Sequence, residues 1–198
     1  MLYEAITQLT TELNQYFQLV SSRSDMVVAA NLLSQAGQEI ATLNNRIVLS
    51  IVSLEEDRIH RSKEQHIRQP DGSFEVVNPE VKLNLLLLFT ANFQETSGIS
   101  DNYMEGMRAL SNLIGFFQSK SVFTPQNSPG LHQNIEKLSL EMNSLTLEQQ
   151  NHLWGAIGAK YMPSVLYRMR VLSIQRQEPF AVGPPITDIT INEKDTRQ

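Results

Sequence analysis

The chain has 198 residues, 41% hydrophobic and 19% charged, with a formal net charge of −5. This is globular composition, and a chain of this length buries roughly 70% of its unfolded surface as one domain without staples. There is no cysteine, which excludes disulfides, thiolate nucleophiles and Cys-based zinc sites, and the acidic balance argues against a nucleic-acid surface, which needs clustered Lys and Arg.

The first residues, Met1 to Ala5, have no basic and apolar stretch of the secretory type, so no signal peptide is read. Leu2, Ile6, Leu9, Leu13, Tyr16 and Val20 recur at spacings of three and four, which predicts a helix with one apolar face. Ser21 to Asp25 breaks that pattern and leads into Met26–Ala30, a short β-prone run. Arg46 to Leu54 reads as an interior strand. Strict alternation puts Ile47, Leu49, Ile51 and Ser53 on one side and Val48, Ser50, Val52 and Leu54 on the other. Glu55 to Pro79 is polar, carries the turn signal Pro70-Asp71-Gly72-Ser73, and is long enough to imply a functional loop or a projecting hairpin.

Val81 to Ala91 supplies a second apolar strand; its most apolar run, Leu83 to Phe89, is interrupted by Asn84 and far too short to span a bilayer. From about Asp101 to Gln118 a helix is predicted, with Tyr103, Met107, Leu110, Leu113, Ile114 and Phe117 on its stripe and Ser100 or Asp101 as its cap. Lys137 to Met142 alternates as a strand. Thr146-Leu147-Glu148-Gln149 is a capping box opening a helix to about Ile157. The last strand runs from Ser164 to Ile174, with Val165, Tyr167, Met169 and Val171 on one face and Arg168 and Arg170 on the other. The fold class is thus α/β: one domain over residues 1–175 with a mixed sheet and helices packed on it, then an extended arm over 176–198 rich in Pro and charge.

Little in this pattern points to catalysis. His132 and Glu136 have the four-residue spacing of helical metal ligands, but no third ligand lies near and a structural site needs four. His60 and His66 sit in the polar segment, and His152 beside Trp154 reads as a packed or interface histidine. Gly155–Lys160 fails the spacing of a phosphate loop and follows a helix where a true one follows a strand. Trp154, with Tyr161 and Tyr167 near it in sequence, reads as a core corner. No cofactor, metal or small-molecule substrate is expected. Glu55 and Glu56 are the densest acids, at a strand exit. They and the paired forks of Arg168 and Arg170 are the candidate subunit-interface residues, since rim charges set register between subunits.

Three blocks carry a resemblance: Asn45–Arg58, Leu83–Phe93 followed by Phe116-Phe117-Gln118, and Leu153-Trp154-Gly155 followed by Tyr161–Arg170. Over Met1 to Gln175 the chain resembles the cap, or tail-terminator, proteins of contractile injection systems. These are phage-tail-like particles such as antifeeding prophages and virulence cassettes. Arg61 to Pro79 and the tail after Gln175 lie outside it. Family members can carry a further C-terminal domain, for which this chain is expected to be too short.

The resemblance implies a homo-hexameric ring at the end of the particle far from the baseplate. That ring would stop growth of the inner tube protein and anchor the last ring of sheath protein, with no enzymatic activity. Assembly would be cytoplasmic, within a particle later released or membrane-anchored. A non-enzymatic oligomeric adapter or binding module unrelated to such particles is the alternative; a hydrolase using Glu55 or Glu56 with a histidine has no motif behind it.

Overall fold

The computed structural model of the chain describes residues 2–57, 65–68, 73–77, 82–93, 101–173 and 181–183. Its main sheet is mixed. Across it run β1 (Val27–Ala29), β2 (Arg46–Glu56), β5 (Lys82–Asn92), β8 (Ser164–Ser173), β7 (Ile135–Met142) and β6 (Val122–Phe123), in that order. β1 is parallel to β2 and every other neighbouring pair is antiparallel. Three α-helices pack with it among the described residues: α1 (Leu2–Ser21), α2 (Asp101–Ser119) and α3 (Leu147–Ile157). A separate small sheet consists of β3 (Gln65–Arg68), β4 (Phe74–Val77) and β9 (Ala181–Gly183) in the order β3-β4-β9. The polar segment therefore contains an antiparallel hairpin, and residues 181–183 of the C-terminal stretch are hydrogen-bonded to it.

The strand expected to be interior, β2, lies with β5 and β8 at the centre of the sheet, and around Val48, Leu88 and Leu166 the sheet is covered on both faces. One face carries α1 and α2. Leu85, Leu87 and Phe89 of β5, with Tyr167, Met169 and Val171 of β8, meet Leu9, Leu13 and Phe17 of α1 and Leu113, Phe116 and Phe117 of α2. Each such side chain contributes about 1.5–3 kcal/mol on burial. The rings pack edge-on or tilted: Phe117 to Tyr167 at 4.6 Å and Phe89 to Tyr167 at 5.8 Å between centroids. Lys120, just after α2, reaches Glu12 of α1 at 2.5 Å and the Asn127 carbonyl at 2.9 Å, tying both helices to the turn before β7.

Both helices turn slightly from their expected faces. In α1 the buried stripe ends on Phe17, and Val20 is exposed. In α2 it runs through Ala109, Leu110, Leu113, Phe116 and Phe117, while Tyr103 and Met107 are exposed. A Cβ at Gly106 would meet the Phe93 ring at 3.1 Å and the Ala91 Cβ at 3.3 Å, tighter than ordinary contact, so the glycine eases the close approach of α2 to β5.

The opposite face is covered in part by α3 and by the segment before β2, through Leu32, Leu43, Val48, Leu88, Trp154 and Leu166. Thr146 caps α3 in the expected box: its hydroxyl accepts from the Gln149 N–H and the Gln149 side chain accepts from the Thr146 N–H. Gly158, φ 76°, closes α3 in the left-handed conformation, so Gly155–Lys160 is a helix end and not a phosphate cradle.

β2 departs from strict alternation. Its register with β5 shifts between Ile51 and Ser53, so Val52 is a bulge. Upstream, Ile47, Leu49 and Ile51 share the face of α1 and α2; downstream Leu54 and Glu56 do, and Ser53 and Glu55 pass to the other face, reversing the expected sides from Val52 onward.

Candidate assembly face

Cross-strand partners share a face, so register decides which side chains come together. Glu55 is opposite Asn84, Asn84 opposite Arg170, and Arg170 opposite Ser139, one row across four strands. The next row is Ser53, Leu86, Arg168 and Glu141. Both rows lie on the face that carries Trp154 and α3. Arg170 and Glu141 form an ion pair at 3.4 Å, both substantially exposed, which contributes less than about 1 kcal/mol to the fold. Lys82 and Lys137 extend the same face; with Asp57, Asn84, Ser139 and Arg170 they line a shallow groove of about 260 Å³.

Of the four candidate residues, Glu55, Arg168 and Arg170 share this face, and Glu56 does not. Glu56 is opposite Leu83, in the row of Val171 and Leu138 on the α1 side. Adjacent residues of a strand point to opposite faces, so the two glutamates were never able to act as one acidic pair. Asn84, Glu141, Lys82 and Lys137 were missed by the sequence reading; the signal was available in their alternation with Leu85, Leu140, Leu83 and Leu138. The face offers ionic and hydrogen-bonding groups in a regular array. Among the described residues it presents no nucleophile hydrogen-bonded to a base.

The other titratable candidates are scattered. His132 precedes β7, where its Nδ1 accepts the Asn134 N–H at 3.2 Å; Glu136 lies in β7 at a register shift, so the four-residue spacing is not helical. His152 is exposed on α3. The side chains of His60 and His66 lie outside the described residues. Among the described residues no three His, Asp or Glu side chains converge on a metal position, and no helix is long and apolar enough to cross a membrane.

Over residues 4–188 the sequence matches the family described as the Pvc16 N-terminal domain. The chain belongs to this family. A comparison with curated proteins gives no match. Among solved structures, the Pvc16 N-terminal fold of this chain is similar to the anti-feeding prophage cap, a tube terminating cap, with a TM-score of 0.55 at 12% identity, over 91% of this chain and 58% of that one. A second similar structure is the sheath/tube terminator of the extracellular contractile injection system PVC in its extended state. There the TM-score is 0.49 at 12% identity, over 77% of this chain and 51% of that one. The chain spans between half and three-fifths of the length of these structures. The mixed sheet with packed helices is the fold this chain shares with the cap, which is a protein of the kind that the three sequence blocks resemble.

Proposed function

We propose that this Pvc16 N-terminal domain is the ring-forming body of a cap that ends the tube of a contractile injection particle and anchors the last sheath ring. It is structural, not catalytic. Membership of the family across residues 4–188 carries the reading. The fold likeness to a tube terminating cap over 91% of the chain supports it, and so does a polar sheet face left open beside α3.

The physical logic is directional. Rings of a tube present the same heterologous surface at every step, so stacking has no intrinsic end. A component that binds that surface and presents a different one on its far side stops growth without chemistry. Six copies closing head to tail match a tube of six-membered rings, and simultaneous engagement multiplies modest contacts. In this reading Glu55, Arg168 and Arg170, with Glu141, set register at subunit contacts, Glu56 sits on the α1 side of the same rim, and the 176–198 arm reaches a neighbour. Assembly takes place in the cytoplasm, within a particle later released or membrane-anchored.

The test is the particle-length distribution by electron microscopy in a strain lacking this chain. Tubes or sheaths of uncontrolled length, or failed assembly, are expected. Uniform, contraction-competent particles would refute the reading.

A further inference from the structure

Where β5 finishes at Asn92, four segments distant in sequence enclose a cleft of about 660 Å³, within the range of sites that bury a ligand. Its walls include Leu32, Ile40, Phe93 and Met162, and Tyr103 and Tyr161 also line it, 55% and 61% exposed. Exposed aromatic rings around an apolar hollow are the composition of a protein interface. One wall is Ala159 to Pro163, the stretch that follows Gly158 at the C-terminal end of α3. Lys160 in that wall is exposed and has no ion-pair partner among the described residues.

The other end of α3 presents the counterpart. Leu147, its first residue, is 84% exposed and takes no part in the capping box, which Thr146 and Gln149 form. Glu148 beside it is exposed and also without an ion-pair partner among the described residues. The box fixes this turn in advance, so an apolar tip and a carboxylate are held ready at little entropic cost on docking. With 11 residues, α3 is about 16 Å long. An apolar tip with an acid stands at one end of it, and an apolar hollow with a base at the other. The tip does not reach its own cleft. A contact between two such unlike surfaces runs head to tail and links successive copies. The charges are opposite in sign, and α3 lies on the sheet face of Glu55, Arg168 and Arg170, so this contact continues the candidate assembly face.

We propose that the first turn of α3 docks in the cleft of the next copy of this chain, with Leu147 among Leu32, Ile40, Phe93 and Met162 and the Glu148 carboxylate on the Lys160 ammonium. This rests on the ring reading and names a contact that links its subunits.

The chain has no cysteine, so full-length Glu148→Cys and Lys160→Cys chains can be mixed and joined by a short bis-maleimide with no competing thiol. The expected result is a covalent two-chain product at least tenfold above that from a control pair with Tyr3→Cys, a position exposed on α1, in place of Glu148→Cys. Adding Leu147→Asp to the Glu148→Cys chain should cut the yield at least fivefold with the melting temperature unchanged, since this leucine lies outside the core. In cysteine-free chains, sedimentation at rising concentration should show self-association weakened at least fivefold by Glu148→Lys or by Lys160→Glu, and restored when one chain carries both. Product at the Tyr3 control level, a parent chain monomeric at every concentration, or a doubly reversed chain no better than either single one would overturn the proposal. Uniform particles from a strain carrying Leu147→Asp, beside failed particles from the deletion strain, would sink this inference alone. Strong cross-linking in a chain whose loss leaves particles uniform would sink the capping reading alone.

Discussion

Replacing Thr90 by valine should make the chain more stable. Thr90 sits in the middle of the sheet, opposite Val48 on β2 and Ser164 on β8, on the face of Leu88 and Trp154. It is fully buried, and its Oγ1 has no hydrogen-bond partner among the described residues. Valine has nearly the same shape and keeps the β-branched preference for a strand. The change therefore removes a desolvated hydroxyl and creates no cavity. With an unmatched buried polar group costing about 1–3 kcal/mol, a gain of about 1–2 kcal/mol is expected. At roughly 2–4 °C per kcal/mol for a domain of this size, the melting temperature should rise by about 2–8 °C. Differential scanning calorimetry and urea unfolding of Thr90→Val, beside Thr90→Ser, would measure it. The serine variant keeps the hydroxyl and loses a methyl, and should fall by about 1 kcal/mol. A valine variant less stable than the parent would refute the reasoning, because it would mean that the hydroxyl has a partner.

Other expectations follow from single contacts. Glu12→Gln should cost about 2 kcal/mol in urea unfolding, since it leaves the largely buried Lys120 ammonium without its carboxylate. Thr146→Ala should cost about 1 kcal/mol by the same assay, because it deletes the cap that orders α3 over Leu88 and Leu166. Burial pushes the Tyr167 hydroxyl above its ordinary value. The folded state thus holds that proton where the unfolded state has lost it, so this stabilisation is complete below about pH 10 and declines as pH rises beyond; Tyr167→Phe should flatten the alkaline limb of a stability-versus-pH curve. Arg168→Glu with Arg170→Glu should leave the melting temperature within about 2 °C and abolish ring formation in sedimentation or negative-stain images, whereas intact rings would remove these residues from the interface.

What could be read from the residues follows the range of the forces that set it. β2 and β5 were legible from their apolar runs and β8 from the alternation of Val165, Tyr167, Met169 and Val171 with Arg168 and Arg170, and Thr146–Gln149 was legible because a capping box is local chemistry. The rotation of α2 was not. Its apolar residues support two overlapping stripes, and the choice between them is made only when helix and sheet dock. β6 is only Val122-Phe123, too short to carry a period. The partition of Glu55 from Glu56 was legible in principle from alternation, although not which of them would face Arg170; that depends on the bulge. The cleft at Asn92 left no local signal, since its walls come from segments that meet only in the folded chain.

The bulge at Val52 makes β2 a strand whose halves are counted in different phase. Were pairing to run on through Val52 without the bulge, Leu54 would fall opposite Asn84, in the row of Arg170, and Glu55 opposite Leu83 on the α1 side. The extra residue thus decides the chemistry of an entire rim, although its own side chain pairs with nothing across the strand. Deleting Val52 should therefore keep Glu55 opposite Asn84, whereas inserting one residue between Ser53 and Glu55 would need a second unpaired position to keep the same face charged.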